Sequence, residues 1–190
     1  MGISCIGGDV LAIIKAVILG DTECGKTSFT KRWTTGSFPD PEMLKTTVGA
    51  AFDTKRLELP SGKQTTLSLW DFGGQTRFIE TLQSMIRGAR VGLLFFDVSK
   101  ISTLDSLFGY WVPRIEKNSR LSFDDDAGER FILVGNKIDL LTPPFDNVEA
   151  EMDRYAEEYG LETQLISAKT GIGIESLDYK FTQIIEQFTE

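Results

Sequence analysis

Gly20-Asp21-Thr22-Glu23-Cys24-Gly25-Lys26-Thr27 places two glycines, a lysine and a hydroxyl at spacings that suit one task. The run satisfies G-x-x-x-x-G-K-[ST], follows a short apolar segment and opens a helix-forming one, the setting that gives the string its meaning. Glycines let backbone N–H groups turn inward around phosphate oxygens, and a helix N-terminus adds partial positive charge facing them. Glu23, Cys24, Gly25, Lys26, Thr27 and Ser28 are therefore the expected phosphate-binding residues. Lys26 is expected on the β and γ phosphates, and Thr27 offers its hydroxyl to Mg2+. The competing reading is an ordinary strand-to-helix turn, which the strand-then-helix context of the full string disfavours.

A second constellation lies far along the chain. Asn136-Lys137-Ile138-Asp139 follows the apolar run Phe131–Gly135, so both loops open at the carboxyl ends of strands. Asp139 can accept hydrogen bonds from the ring N–H and exocyclic amine of guanine, and adenine offers neither donor in that geometry. Sites built on such hydrogen bonds reject analogues by roughly 10⁴–10⁵, because the mismatched base leaves a buried group unpaired. Ser167-Ala168-Lys169 supplies a third loop, whose backbone N–H can meet the guanine oxygen while Lys169 packs over the rings.

The elements that must position these loops are legible in outline. Leu11–Leu19 is an apolar, β-branched-rich run of the kind that forms a buried central strand, and a helix over about Lys26–Thr34 follows. Pro60-Ser61-Gly62-Lys63 predicts a hairpin joining Ala50–Leu59 to Gln64–Trp70. Strands and helices then alternate: Val91–Asp97, Ser102–Lys117, Arg130–Gly135, Asp146–Tyr159, Glu162–Ser167 and Ile174–Phe188. Leu104, Leu107, Phe108, Trp111 and Ile115 mark one apolar helical face, and Leu177, Phe181, Ile184 and Phe188 another. Alternation predicts right-handed crossovers and a mostly parallel α/β sheet, with the ligand at the strands' carboxyl ends.

Composition narrows the function classes. The chain has 190 residues, enough for one domain, expected over 11–190 after a short lead-in at 1–10. It contains no histidine, which removes histidine-based catalysis and most zinc sites. A formal charge of −8 argues against nucleic acid as a partner. Two cysteines, Cys5 and Cys24, make no disulfide framework and point to a reducing, cytoplasmic setting. The longest apolar run contains Lys15 and is too short to span a bilayer. Asp124-Asp125-Asp126 is read as a solvated loop.

Together these motifs resemble the Ras superfamily of small GTPases from about Leu11 to Phe188. The resemblance implies the phosphate-loop NTPase fold, a three-layer α/β arrangement of six mostly parallel strands and about five helices. Thr47, in Lys45-Thr46-Thr47-Val48-Gly49, resembles the first switch threonine, which ligates Mg2+ and senses the γ-phosphate. Asp71-Phe72-Gly73-Gly74-Gln75 resembles the second switch. There Asp71 holds Mg2+ through water, the Gly74 N–H meets the γ-phosphate and Gln75 orients the attacking water. Phe38 stands where an aromatic residue packs edge-on against guanine. Val48-Gly49-Ala50-Ala51-Phe52, Trp70, Arg87-Gly88-Ala89 and Phe96-Asp97-Val98-Ser99 are most similar to the Rab branch. Gly73-Gly74-Gln75 is instead the Arf-like form, and Met85 replaces the tyrosine usual in Rab proteins. Phe52 and Trp70 fit hairpin packing and a partner surface equally well.

The resemblance implies a conformational switch that binds GTP and GDP with Mg2+ and hydrolyses GTP slowly, in signalling or membrane traffic. Gln75, Lys26 and Thr47 carry the chemistry. Thr22 and Glu23 replace small residues of the common pattern, and intrinsic turnover at or below about 10⁻⁴ s⁻¹ is expected. A module that binds GTP without hydrolysing it is the main rival, and a phosphate-loop kinase or ATPase a distant one. None of Arg32, Arg77, Arg87 or Arg90 can be placed on the phosphate from sequence, so an activating protein, an exchange factor and effectors are the expected partners of a monomer. The protein is expected in the cytoplasm, with peripheral membrane association left open. Gln187-Phe188-Thr189-Glu190 has no prenylation cysteine, and Ile6 spoils a myristoylation pattern after Met1-Gly2.

Overall fold

The computed structural model describes residues 12–40, 42, 46–74, 85–118 and 130–187. Gln75, Arg77, the lead-in at 1–10, the acidic stretch 124–126 and Phe188 lie outside them. The strands are β1 (Ala12–Leu19), β2 (Ala50–Glu58), β3 (Gln64–Phe72), β4 (Val91–Asp97), β5 (Phe131–Asn136) and β6 (Glu162–Ile166). They form one six-stranded sheet in the order β2-β3-β1-β4-β5-β6. Only the β2–β3 hairpin is antiparallel; the other neighbours pair in parallel. The expected mostly parallel α/β architecture is the one observed.

The sheet is buried on both faces by strict alternation along its central strands. Ala16 and Ile18 of β1, Leu93 and Phe95 of β4, and Ile132 and Val134 of β5 share one core. Val17 and Leu19, Leu94 and Phe96, and Phe131 and Leu133 share the other. This is why these strands read as continuous apolar runs. The first core receives α1 (Lys26–Thr35), through Phe29 and Trp33, and the last long helix, through Leu177 and Phe181. The second receives Leu104, Phe108, Trp111 and Met152 from the remaining helices. Ile13 departs from the pattern and is exposed, because β1 pairs with β4 only from Ala16 onward.

The helix predicted over Ser102–Lys117 is interrupted. α2 (Ser102–Ser106) passes through a π-helical turn, Leu107–Trp111, into α3 (Val112–Asn118). The Val112 N–H donates to the Leu107 carbonyl, one residue further back than in an α-helix. Pro113 follows and has no N–H with which to continue the ladder, so the irregularity sits where the sequence removes a donor. The turn keeps Leu107, Phe108 and Trp111 buried together. Downstream lie α4 (Asp146–Tyr159) and α5 (Ile174–Glu186).

The hairpin carries a half-exposed aromatic pair. Phe52 is 54% exposed and meets the Trp70 ring edge-on, with centroids 4.3 Å apart. The Lys15 ammonium lies 3.7 Å from the centre of the same Trp70 ring, and it donates to the carbonyls of Met85 and Arg87. No helix among the described residues is long and apolar enough to cross a membrane.

Phe29 is fully buried, with its ring centroid 5.2 Å from Trp33 and 5.0 Å from Phe95, and so ties α1 to the sheet. Phe29→Ala should lower unfolding free energy by about 3–5 kcal/mol in urea titration. Phe52→Ala, on the open face, should lose less than about 1.5 kcal/mol.

Candidate functional site

Residues 20–25 turn from the end of β1 into α1, and Gly25 caps that helix in the left-handed region with φ 86°. Glu23 also has a positive φ, of 64°. Left-handed residues at alternate positions curl the backbone so that its N–H groups face one concavity. The Cys24 side chain is buried in the core beneath, which leaves its backbone for the loop. Lys26 is 5% exposed, and its ammonium donates to the carbonyls of Gly20, at 2.8 Å, and Asp21, at 2.7 Å. Burial pushes the Lys26 pKa down, opposed by the charge of Asp71. An ammonium held only by neutral carbonyls in a buried setting is one that an entering anion stabilises.

Three oxygens converge beside it. The Thr27 hydroxyl is 2.7 Å from the Thr47 hydroxyl and donates to one carboxylate oxygen of Asp71. The other oxygen of Asp71 is buried and has no hydrogen-bond partner among the described residues. Burial raises the Asp71 pKa, partly offset by Lys26 and by the Thr27 hydrogen bond. Two hydroxyls and a carboxylate with an unused oxygen fit a hard divalent cation such as Mg2+. No group of three or more His, Cys, Asp or Glu placed to hold a metal ion occurs among the described residues. Phosphate oxygens of a ligand, together with water, would complete the shell of a cation here.

Gly73 and Gly74 are wedged between the loops. A Cβ on Gly73 would fall 2.2 Å from the Thr47 carbonyl oxygen, and one on Gly74 would fall 2.1 Å from the Thr22 nitrogen. This gives the Gly-Gly pair a steric reason: backbone from two other segments occupies the space a side chain would need. Thr22 is exposed at this junction, and the exposed Glu23 carboxylate reaches the Lys100 ammonium at 3.6 Å. A cleft of about 410 Å³, lined by Thr22, Lys26, Thr27, Thr47, Gly74 and Lys137 among others, collects these groups.

A smaller cleft of about 160 Å³ continues from it, sharing Gly25, Ser28, Phe38 and Lys137 and adding Asn136, Asp139, Ala168 and Lys169. Asn136 is 1% exposed and joins two loops: its amide donates to the Cys24 carbonyl at 2.8 Å and accepts from the Ala168 N–H at 2.9 Å. Lys137, with φ 73°, donates to Asp97 at 2.6 Å. Burial alone would raise the Asp97 pKa, but hydrogen bonds from Lys137 and Ser99 outweigh it and hold the carboxylate below its ordinary value. Asp139 is the middle residue of a short 3-10 turn, Ile138–Leu140, and one of its oxygens accepts from the Ser167 hydroxyl at 2.5 Å. Ser167 is itself buried, and its hydroxyl also accepts from the Thr170 N–H. Lys169 is exposed at the rim.

The structure thus gathers every sequence-predicted site residue that it describes into one continuous cleft or its immediate supports. Of the arginines, Arg87 and Arg90 are exposed, and Arg32 donates to carbonyls of the 168–170 loop. None of the described arginines lines the cleft. Sequence reasoning missed two supports. Asp97 anchors Lys137, and its only signal was a carboxylate ending an otherwise apolar strand. Trp111 and Ser106 both donate to the Asp21 carboxylate, at 2.7 and 3.0 Å, and so tie the phosphate loop to the helix that carries the π turn.

Over residues 15–190 the chain matches the Ras family. It is similar to the Ras-related protein RAB1BV of Beta vulgaris, with 32% identity over 175 residues, 92% of this chain and 77% of that protein. It is 34% identical to the Ras-related protein Rab-27B of Rattus norvegicus over 177 residues, 88% of this chain and 77% of the relative. The Ras-related protein Rab-28 of Caenorhabditis elegans is 31% identical over 159 residues, 84% of this chain, which spans only 61% of that relative.

The raised Asp71 pKa has a signed consequence. A carboxyl whose folded value lies above its unfolded value contributes stability below the unfolded value and loses it as pH rises through the folded one. The ionised form of Asp71 therefore weighs against the ligand-free fold relative to the protonated form. Asp71→Asn should melt at a higher temperature than wild type in chelator without nucleotide. A lower melting temperature for the ligand-free variant would show the carboxylate to be satisfied already.

Proposed function

The chain belongs to the Ras family of small GTP hydrolases, within its Rab branch, and from that premise we propose that it is a guanine-nucleotide switch whose residues 11–190 act as one G domain. The observation that carries this reading is the junction of the two clefts. One end presents a buried ammonium, a helix N-terminus and three hard oxygens, and the other presents an oriented carboxylate, joined through Asn136. A nucleoside triphosphate has those two ends in that order.

In this reading the backbone of Glu23–Ser28 binds the phosphates, and Lys26 leaves its carbonyl partners for the β and γ oxygens. Thr27, Thr47 and Asp71 are the residues that would hold Mg2+, Asp71 through water, and the ion would supply positive charge to the phosphate oxygens. Gln75 orients a water that attacks the γ-phosphorus, the bond to the β–γ bridging oxygen breaks, and GDP and phosphate result. Asp139 reads the ring N–H and amine of guanine, a backbone N–H of the 167–169 loop meets its oxygen, and Phe38, Lys137 and Lys169 pack around the rings. Loss of the γ-phosphate releases Thr47 and Gly74.

Hydrolysis at the expected intrinsic rate is too slow for a working cycle, and the cleft contains no arginine of its own among the described residues. An arginine from an activating protein accelerates such sites by about 10³–10⁵. An exchange factor and effectors complete the partner set. We place the protein in the cytoplasm, peripherally at membranes, as a monomer acting in membrane traffic. The rival reading, a module that holds GTP without hydrolysing it, is favoured by Thr22, which abuts Gly74 beside the expected path of the attacking water.

Single-turnover hydrolysis by the Mg2+-loaded protein separates the two. Slow turnover, on the order of 10⁻⁴ s⁻¹ or below, that Gln75→Leu abolishes and Thr22→Gly/Glu23→Gly accelerates supports the switch. GTP that stays intact in wild type and variants alike supports the module. For the base end, Asp139→Asn should weaken GTP binding and favour xanthine nucleotides, and unchanged GTP affinity would remove Asp139 from its role.

A further inference from the structure

We propose that Arg32 is the positioning residue of the guanine loop, and that through it α1 sets the choice of base as well as the grip on phosphate. The inference rests on the base-site reading above. α1 starts at Lys26 and Thr27, in the phosphate cleft, and Arg32 lies six residues on, about 9 Å along the axis. There its guanidinium crosses to the 168–170 loop. One terminal nitrogen donates to the carbonyls of Ala168, at 3.3 Å, and Lys169, at 2.9 Å, and the other to that of Thr170, at 3.1 Å.

Three successive carbonyls converging on one cation constrain the loop. On the same loop the Ala168 N–H donates to the Asn136 amide oxygen, so the segment that Arg32 holds is also tied to the end of β5. The Ser167 hydroxyl accepts from the Thr170 N–H and donates to Asp139, so the turn that Arg32 holds also aims the base-reading carboxylate. A planar guanidinium can serve three acceptors at once, whereas an ammonium is a point charge that cannot span them in the same way. The helix backbone at Arg32 is fixed in turn. Its carbonyl accepts from the Gly36 N–H, and the neighbouring Trp33 donates to Asp178 of α5 at 2.5 Å.

Base choice is where the loop's orientation is read out. A backbone N–H meets the guanine oxygen as donor to acceptor, but faces the adenine amine as donor to donor. Loosening the loop should therefore erode the discrimination between the two bases and not only the affinity for each.

The test is competition of unlabelled GTP and of ATP against a fluorescent GDP, with Mg2+, on full-length wild type, Arg32→Lys and Arg32→Met. The proposal expects the ratio of GTP to ATP affinity to fall about tenfold in Arg32→Met, the size of effect that losing one charged hydrogen-bonding group produces, with partial recovery in Arg32→Lys. A general weakening of the fold would reduce both affinities together and leave that ratio at its wild-type value, which would overturn the proposal. Wild type that binds neither GDP nor GTP would overturn the base-site reading itself, and is distinguishable because it needs no variant.

Discussion

One buried amide holds the two ends of the cleft in register. Asn136 ends β5, a strand fully buried along its length, and its side chain spends its oxygen on the Ala168 N–H and an amide proton on the Cys24 carbonyl. Both partners are backbone groups of loops that have no ladder to satisfy them. Removing the amide would leave each buried and unpaired, at about 1–3 kcal/mol apiece. The loops it joins emerge from β1, β5 and β6, which are not all neighbours in the sheet. Their separation is fixed by strand spacing, and only a side chain reaching across the carboxyl ends can tie them into one surface.

Charge is distributed over that surface with the same economy. Lys26 and Asp71 are both nearly excluded from solvent, and burial moves each toward its neutral form. Their mutual attraction and a few hydrogen bonds oppose that tendency without removing it. A site that stores an imperfectly compensated cation and anion side by side gains most from a ligand carrying both signs, as a phosphate chain with a divalent cation does. Asp97 and Lys137 illustrate the contrary case: the pair is closely hydrogen-bonded, the carboxylate pKa is depressed, and the contact braces the loop with no further partner required.

The loops with glycine, lysine and carboxylate at fixed spacings were legible in the sequence because their chemistry is local: each string carries its own reason for being there. The alternation of apolar residues in β1, β4 and β5 likewise announced strands covered on both faces. What escaped were relations between distant residues. Nothing near Arg32 in the sequence points to carbonyls some 136 positions away, and nothing near Trp111 points to Asp21. The π turn was readable in part, since Pro113 deprives a helix of a donor, yet an amphipathic pattern spanning the interruption masked it. The extension of β3 to Phe72, beyond the expected Trp70, came from pairing with β2, which adds rungs at Asp71 and Phe72.

That last rung bears on how a switch can work here. Ala50 faces Phe72 at the open end of the hairpin, and the Gly73 N–H donates to the Gly49 carbonyl at 2.8 Å, continuing the ladder one step further. Thr47 and Gly74 each lie only two or three residues beyond this rung, on opposite strands of the same ribbon. The two segments proposed to sense the γ-phosphate are thus joined through the backbone, and a shift in one would strain the hydrogen bond that holds the other. The first segment is otherwise lightly held, with Thr46 and Val48 exposed and Thr47 tied through its hydroxyl to Thr27. A coupling of a few hydrogen bonds is small enough for the loss of one phosphate group to reverse it, since a ligand moves such an equilibrium only by its difference in affinity for the two states. In the proposed switch the hairpin end would couple the two movements, since Thr47 leaving the Thr27 hydroxyl would pull on the backbone that leads through the Gly49–Gly73 bond to Gly74.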